Sequence, residues 1–155
     1  MKPVNRAEIA DYIDTGEGLA LMGQGFTALD EHTGAVVETR VVMTSRQLAA
    51  YLTGYQTTFS FDTDMMKDGA AVLYLFDLAR RRAIGSEAET TLVRVELFRD
   101  KAEAGYPARK IPVVAAVTDV TGLSGEIVRV AGSLYQTADA EEGWFDPETG
   151  VFTGE

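Results

Sequence analysis

From Tyr55 to Thr63 the chain alternates. In "YQTTFSFDT", Tyr55, Thr57, Phe59 and Phe61 share one face, with Gln56, Thr58 and Ser60 on the other. That period of two marks a half-buried strand. From Asp68 the period lengthens to about 3.6. Val72, Leu75, Phe76 and Ala79 fall on one stripe, with Leu73 and Ile84 at its flank. The spacing predicts a helix over about Asp68–Ala83, with Asp68 as its N-cap. Arg80, Arg81 and Arg82 would oppose the helix dipole in the last turns. Gly85 would end the helix in a left-handed conformation.

The remaining pattern is mostly β. The first dozen residues read as a short amphipathic helix through Val4, Ile9 and Ile13, broken by "TGEG". "LALMG" is a short apolar strand, and a turn at Thr33-Gly34 leads into an alternating strand near Val36–Met43. "TSRQLAAYLTG" fits a short helix or a loop equally well. "TTLVRVELF" has one purely apolar face, Val93, Val95 and Leu97, and one mixed face, Leu92, Arg94, Glu96 and Phe98. "ARKIPVVAAVTDV" carries Pro112, which predicts an edge strand or a bulge. "IVRVAGSLYQ" follows the turn "GLSGE", and the tail "GWFDPETGVFTGE" predicts a hairpin about Asp146–Gly150. About seven or eight strands with one good helix, not alternating, imply a mainly β (α+β) fold. The expected architecture is an antiparallel β-sandwich or small barrel with one flanking α-helix.

Composition narrows the function. The chain has 155 residues and a formal net charge of −10, which disfavours a general grip on nucleic acid phosphates. There is no cysteine, so thiol, disulfide and zinc-thiolate chemistry are absent. No apolar run reaches the roughly 18 residues of a membrane span, and the start lacks a signal-peptide pattern. The one histidine, His32, lies in the turn "DEHTG" and is expected to be an exposed turn residue. No G-x-S-x-G elbow and no phosphate-binding G-x-x-x-x-G-K-[ST] loop occurs.

Asp62, Asp64 and Asp68 are the one cluster that invites a metal. A calcium loop starting at Asp62 needs an oxygen ligand, Gly and Glu at its fifth, sixth and twelfth positions. Met66, Lys67 and Leu73 stand there instead. The plainer reading is that Asp62 and Asp64 close a strand and Asp68 caps a helix. The three arginines after the helix are expected to pair with carboxylates, with phosphate binding or an interface as alternatives.

Taken in order, these pieces resemble the major tail protein, or tail tube protein, of long non-contractile-tailed bacteriophages. The likeness runs through "NRAEIADYI", "LMGQGFTALDEHTGAVVETRVV" and "LTGYQTTFSFDTDMMKDGAAVLYLFDLARRRAIGSEAETTLVRVELF". It closes with "ARKIPVVAAVTDVTGLSGEIVRVAGSLYQ" and "GWFDPETGVFTG". It implies one tail-tube-like domain over 1–155, with an N-terminal arm at about 1–18 and a C-terminal hairpin at about 143–155. It implies a structural subunit, not an enzyme, without cofactor or metal. Such subunits form hexameric rings that stack into a tube, and DNA passes the lumen without specific binding. The implied partners are further copies of itself and the tape measure, tail terminator and distal tail proteins, with no membrane. The implied location is the virion, after synthesis in the bacterial host cytoplasm.

A long loop in this family reaches the neighbouring ring. Here it would be about Thr44–Thr53, with Arg46, Gln47, Leu48, Tyr51 and Leu52 as contact residues. The family's loop is polar, whereas "TSRQLAAYLTG" is more apolar. A buried contact between rings would explain that, and so would a short helix packed on its own domain. Two rival readings stay open: a tube or ring protein of a related secretion or contractile-injection machine, and a small β-barrel binding a ligand or metal at the Asp62/Asp64/Asp68 cluster.

Overall fold

The computed structural model describes residues 1–155. In chain order its strands are β1 (Ile9–Asp14), β2 (Leu19–Leu21), β3 (Phe26–His32), β4 (Ala35–Arg40), β5 (Ala49–Tyr55) and β6 (Thr58–Asp64). The helix α1 (Ala70–Arg80) follows, then β7 (Glu89–Glu96), β8 (Tyr106–Thr121), β9 (Arg129–Gln136), β10 (Glu141–Asp146) and β11 (Val151–Gly154). Every pairing is antiparallel. The fold is mainly β with one flanking helix, as the sequence pattern predicts.

The main sheet runs β2-β1-β7-β8-β9-β6-β3, and β10 and β11 extend it from one end of β8. Alternation sets which side each residue takes. Phe59 and Phe61 on β6 meet Leu92 on β7, Ile111 and Val113 on β8, and Val130 and Leu134 on β9 in one core. Helix α1 adds Ala71, Val72, Leu75 and Leu78 to that core. A fully buried Phe or Leu here stabilises the fold by about 1.5–3 kcal/mol.

The two faces of β7 have different work. Its purely apolar face, Val93 and Val95, packs with Ala108 and Phe145 in a second, smaller core. The C-terminal hairpin β10–β11 roofs that core, and the Tyr12 and Phe145 rings stand 4.5 Å apart. Its mixed face sends Leu92 into the main core and Arg94 into an ionic network that rolls the sheet closed.

Arg94 sits on β7, and β3 lies at the far end of the strand order. Its guanidinium nevertheless donates to Leu29 O of β3 at 3.0 Å and to Glu31 Oε1 at 3.0 Å. It also donates to Asp11 Oδ1 at 2.8 Å, and Asp11 is 2% exposed. Arg6 donates to Asp11 and to Leu29 O, and Arg109 donates to Glu31 at 2.9 Å. Side chains thus do what backbone pairing does in a closed barrel: they fasten β3 across β1, β7 and β8.

Burial alone would raise the Glu31 pKa. Hydrogen bonds and charge from Arg109 and Arg94 outweigh it and hold the carboxyl below the usual glutamate range. A carboxylate depressed in this way adds stability above its unfolded pKa, about 4.3. That part is lost as pH falls through the folded value. The melting temperature is therefore expected to drop below about pH 4, and more steeply for the wild type than for Glu31→Gln. Equal slopes in thermal melts of the two proteins would contradict the assignment.

Several expectations need correction. The N-terminal segment is not helical: after a 3-10 turn at Arg6–Glu8 it enters the sheet as β1, with Ile13 fully buried. Its "EIADYI" alternation serves two cores, Ile13 in one and Tyr12 beside the other. Residues 9–14 of the expected arm are therefore part of the sheet. Pro112 marks neither an edge nor a bulge. On one side β8 pairs continuously with β7, while on the other its partner changes from β10, paired over Tyr106–Lys110, to β9, paired from Val113 onward. A residue without an N–H costs nothing at that gap.

The helix is shorter than expected at both ends. Gly69 occupies the N-cap position and no side chain caps the helix, so Asp68 is not its cap. Asp68→Ala should change the unfolding free energy by less than about 0.5 kcal/mol. A loss near 1 kcal/mol in urea unfolding would restore the capping role. At the other end the left-handed residue that closes the helix is Arg82, φ 52°; Gly85 is also left-handed, φ 60°, but it lies beyond the helix end and opens a 3-10 turn. Arg82 N bonds to Ala79 O at 3.2 Å and Ala83 N to Leu78 O at 3.0 Å, the bonding of a Schellman ending. A side chain in that conformation is strained, so Arg82→Gly should stabilise the domain by about 0.5–1 kcal/mol. Destabilisation in the same assay would contradict this.

Candidate assembly interface

The hairpin β4–β5 is not in the main sheet. It forms a separate two-stranded ribbon that continues β3 and β6 past a kink. At the kink, Gln56 N donates to Gly34 O at 2.8 Å and Thr57 Oγ1 donates to Thr33 O at 3.0 Å. Gly34 has φ 65°, and a Cβ there would lie 2.0 Å from Gln56 O. Only glycine fits both the conformation and the approach. The Thr33-Gly34 turn foreseen from sequence is thus a hinge between strands rather than a loop.

Beyond the hinge the ribbon has no core. Every residue of β4 is exposed, and on β5 only Ala49 and Gly54 are partly covered. Yet its composition is apolar. Val37 is 58% exposed, Leu52 55%, Tyr51 51% and Leu48 49%, and at the tip Val41 and Met43 stand fully in solvent. Val37 and Leu52 pair across the strands, and the Arg40 guanidinium lies 5.5 Å from the Tyr51 ring. A two-stranded ribbon alone is marginal in water, and an exposed apolar patch of this kind makes it a candidate contact surface. Glu38 is its one acid, and Arg40 and Arg46 give the outer part a positive charge in an acidic chain.

The expected contact residues therefore fall on one element. Arg46, Gln47 and Leu48 lie at the tip, and Tyr51 and Leu52 on β5. The segment "TSRQLAAYLTG" is neither a helix nor only a loop, because from Ala49 it is a strand. The exposed surface is also longer than the expected Thr44–Thr53. Val36, Val37, Val41, Val42, Met43 and Tyr55 belong to it. The signal was there: the doublets Val36-Val37 and Val41-Val42 put apolar groups on both faces, which a one-sided strand does not do.

The acid cluster resolves differently. Asp62 and Asp64 share one side of β6 and turn to Arg129 on β9. Arg129 donates to Asp64 Oδ1 at 2.6 Å and to Thr27 Oγ1 at 2.9 Å, and it lies 2.8 Å from Asp62 Oδ1 as an ion pair. Asp68 is exposed beyond the strand. No three Asp, Glu, His or Cys side chains converge at metal-binding distance. His32 ends β3, where its Nε2 contacts Ser60 Oγ at 2.9 Å on the exposed side. No helix is long and apolar enough to cross a membrane.

No protein-family model matches the chain. No curated protein sequence matches it. Solved structures do match in fold. One chain, from a structure described as the tail of an empty GTA particle with C6 symmetry, superposes with a TM-score of 0.62 at 13% identity, over 98% of this chain and 100% of that one. A second, from the anti-feeding prophage baseplate, six-fold symmetrised, gives a TM-score of 0.52 at 11% identity, over 93% of this chain and 97% of that one. The chain shares its fold, over nearly its whole length, with subunits of tail and tail-like particles.

Proposed function

We propose that this chain is a structural subunit of a phage-type tail tube. It assembles as hexameric rings that stack, and the lumen conducts the genome during ejection. The observation that carries this reading is the β4–β5 arm, an apolar ribbon held outside the domain with nothing of its own to cover it. Docked on the adjacent ring, it loses its exposed surface and gains the partner it needs. The fold shared with a tail of C6 symmetry supports the ring. The net charge of −10 supports a conduit, since an acidic wall repels DNA phosphates. The partners that follow are other copies of the chain, with tape measure, tail terminator and distal tail proteins at the two ends.

Sedimentation velocity over a range of concentrations tests self-assembly. The expected result is a shift from one chain to species of six chains and their multiples. A sedimentation coefficient that stays that of one chain at every concentration would sink the reading. The fold shared with a baseplate chain favours a second reading, a ring or tube protein of a contractile-injection machine. Co-sedimentation of the assembled tubes with a sheath protein separates the two, since only the second reading expects it.

A further inference from the structure

Between the C-terminal end of α1 and the far half of β8 lies an open groove of about 740 Å³. Leu78, Ala83, Val117 and Val120 line it, and Ile84 stands 81% exposed at its lip. Arg82 and Asp119 are its charged lining residues, and Arg80 and Arg81 precede Arg82 on the exposed surface. The expected pairing of these three arginines with carboxylates does not occur: none of them is in a salt bridge. Three cations without a carboxylate partner, Arg82 bonded only to the Ala79 carbonyl, stand beside uncovered apolar surface in a chain of net charge −10, a combination that suits an acidic, partly apolar partner.

We infer that this groove receives the C-terminal hairpin β10–β11 of a second copy of this chain. The hairpin and its approach carry Asp139, Glu141, Glu142, Asp146, Glu148 and Glu155, with no Lys or Arg from Ala138 to the end. None of these acids is in a salt bridge either. Among them Val151 presents an apolar surface, 55% exposed. The two surfaces match in sign and in mixed character.

They also cannot meet within one chain. The hairpin pairs with β8 over Tyr106–Lys110, whereas the groove is lined by Val114–Val120 of the same strand. At about 3.3 Å per residue their centres are roughly 30 Å apart. Complementary surfaces at opposite ends of one molecule make a head-to-tail contact, which repeats into a ring or a filament. This contact uses neither the arm nor its tip. It rests on the proposed self-assembly only in requiring that copies meet.

The absence of cysteine allows a direct test. Ile84→Cys and Val151→Cys are made on separate chains, which leaves every charge in place, and the two proteins are mixed under air oxidation. The 84–151 disulfide is expected to form at least about tenfold faster than either same-site pair, and this preference should vanish at high salt. Adding Arg80→Glu and Arg81→Glu to the Ile84→Cys chain should abolish it as well. A mixed pair no faster than the same-site pairs, or a preference that survives charge reversal, would overturn the inference. Electron microscopy of the wild type keeps the two proposals apart. Tubes without the preferred crosslink would remove this contact and leave the tube, whereas the crosslink without rings or tubes would do the reverse.

Discussion

Arg94→Ala is expected to cost about 3–5 kcal/mol of folding stability, a large share of what a domain of this size possesses. The residue is 7% exposed and holds three acceptors at once. Asp11, Glu31 and the Leu29 carbonyl all lose a donor when it goes. Asp11 is left almost wholly buried with only Arg6 as a partner, and an uncompensated buried charge is expensive. The closure of the sheet depends on the same group, since Arg94 joins β7 to β3 without backbone pairing. Replacing Arg94 and Asp11 together by Met and Leu should therefore cost much less than Arg94→Ala. Urea unfolding of the three proteins measures it. An Arg94→Ala midpoint close to wild type would show that the main core closes the sheet unaided.

Shortening the arm has the opposite profile, with little effect on stability and a total effect on assembly. In the variant, residues 38–51 are replaced by Asn-Gly, so that Val37 and Leu52, already paired, close a two-residue turn. No side chain removed is buried. Stability should stay within about 1 kcal/mol of wild type. Rings that stack through the arm should not stack at all. A gentler variant, Leu48→Lys with Leu52→Lys, removes two apolar groups worth about 1.5–3 kcal/mol each if buried in the contact. Its assembly should weaken by a hundredfold or more in concentration. Light scattering against concentration reads both. A shortened protein that forms tubes as the wild type does would remove the arm from the interface.

The elements that follow one clear rule were legible in the sequence. Phe59 and Phe61 alternate into one core, Val72 and Leu75 bury on the expected helical stripe, though Leu78 and Ala71 are buried beside them where Phe76 and Ala79 were expected, and the Asp146–Gly150 turn closes a hairpin. What escaped were residues serving two demands. Ile13 and Tyr12 are neighbours that enter different cores, so β1 has no single apolar face and passes for a helix. Arg94 reads as a polar residue on a mixed face, because its partners are 63 and 83 positions away in the chain. The arm was half legible. Its location and apolar character are plain in "TSRQLAAYLTG", but its form is set by Gly34 and by the hinge with Gln56, which no periodicity reports. The Asp62/Asp64 pair closes β6 as the plainer reading expects, but Arg129, which stands between the two carboxylates, is 65 positions from Asp64 and no spacing reports it.

Electron microscopy of the purified protein at high concentration tests the central claim most directly. Hollow tubes of uniform width, with six-fold symmetric end-on projections and a regular axial repeat, are the predicted result. Single particles the size of one chain, in every field and even with added tail terminator and tape measure proteins, would contradict it.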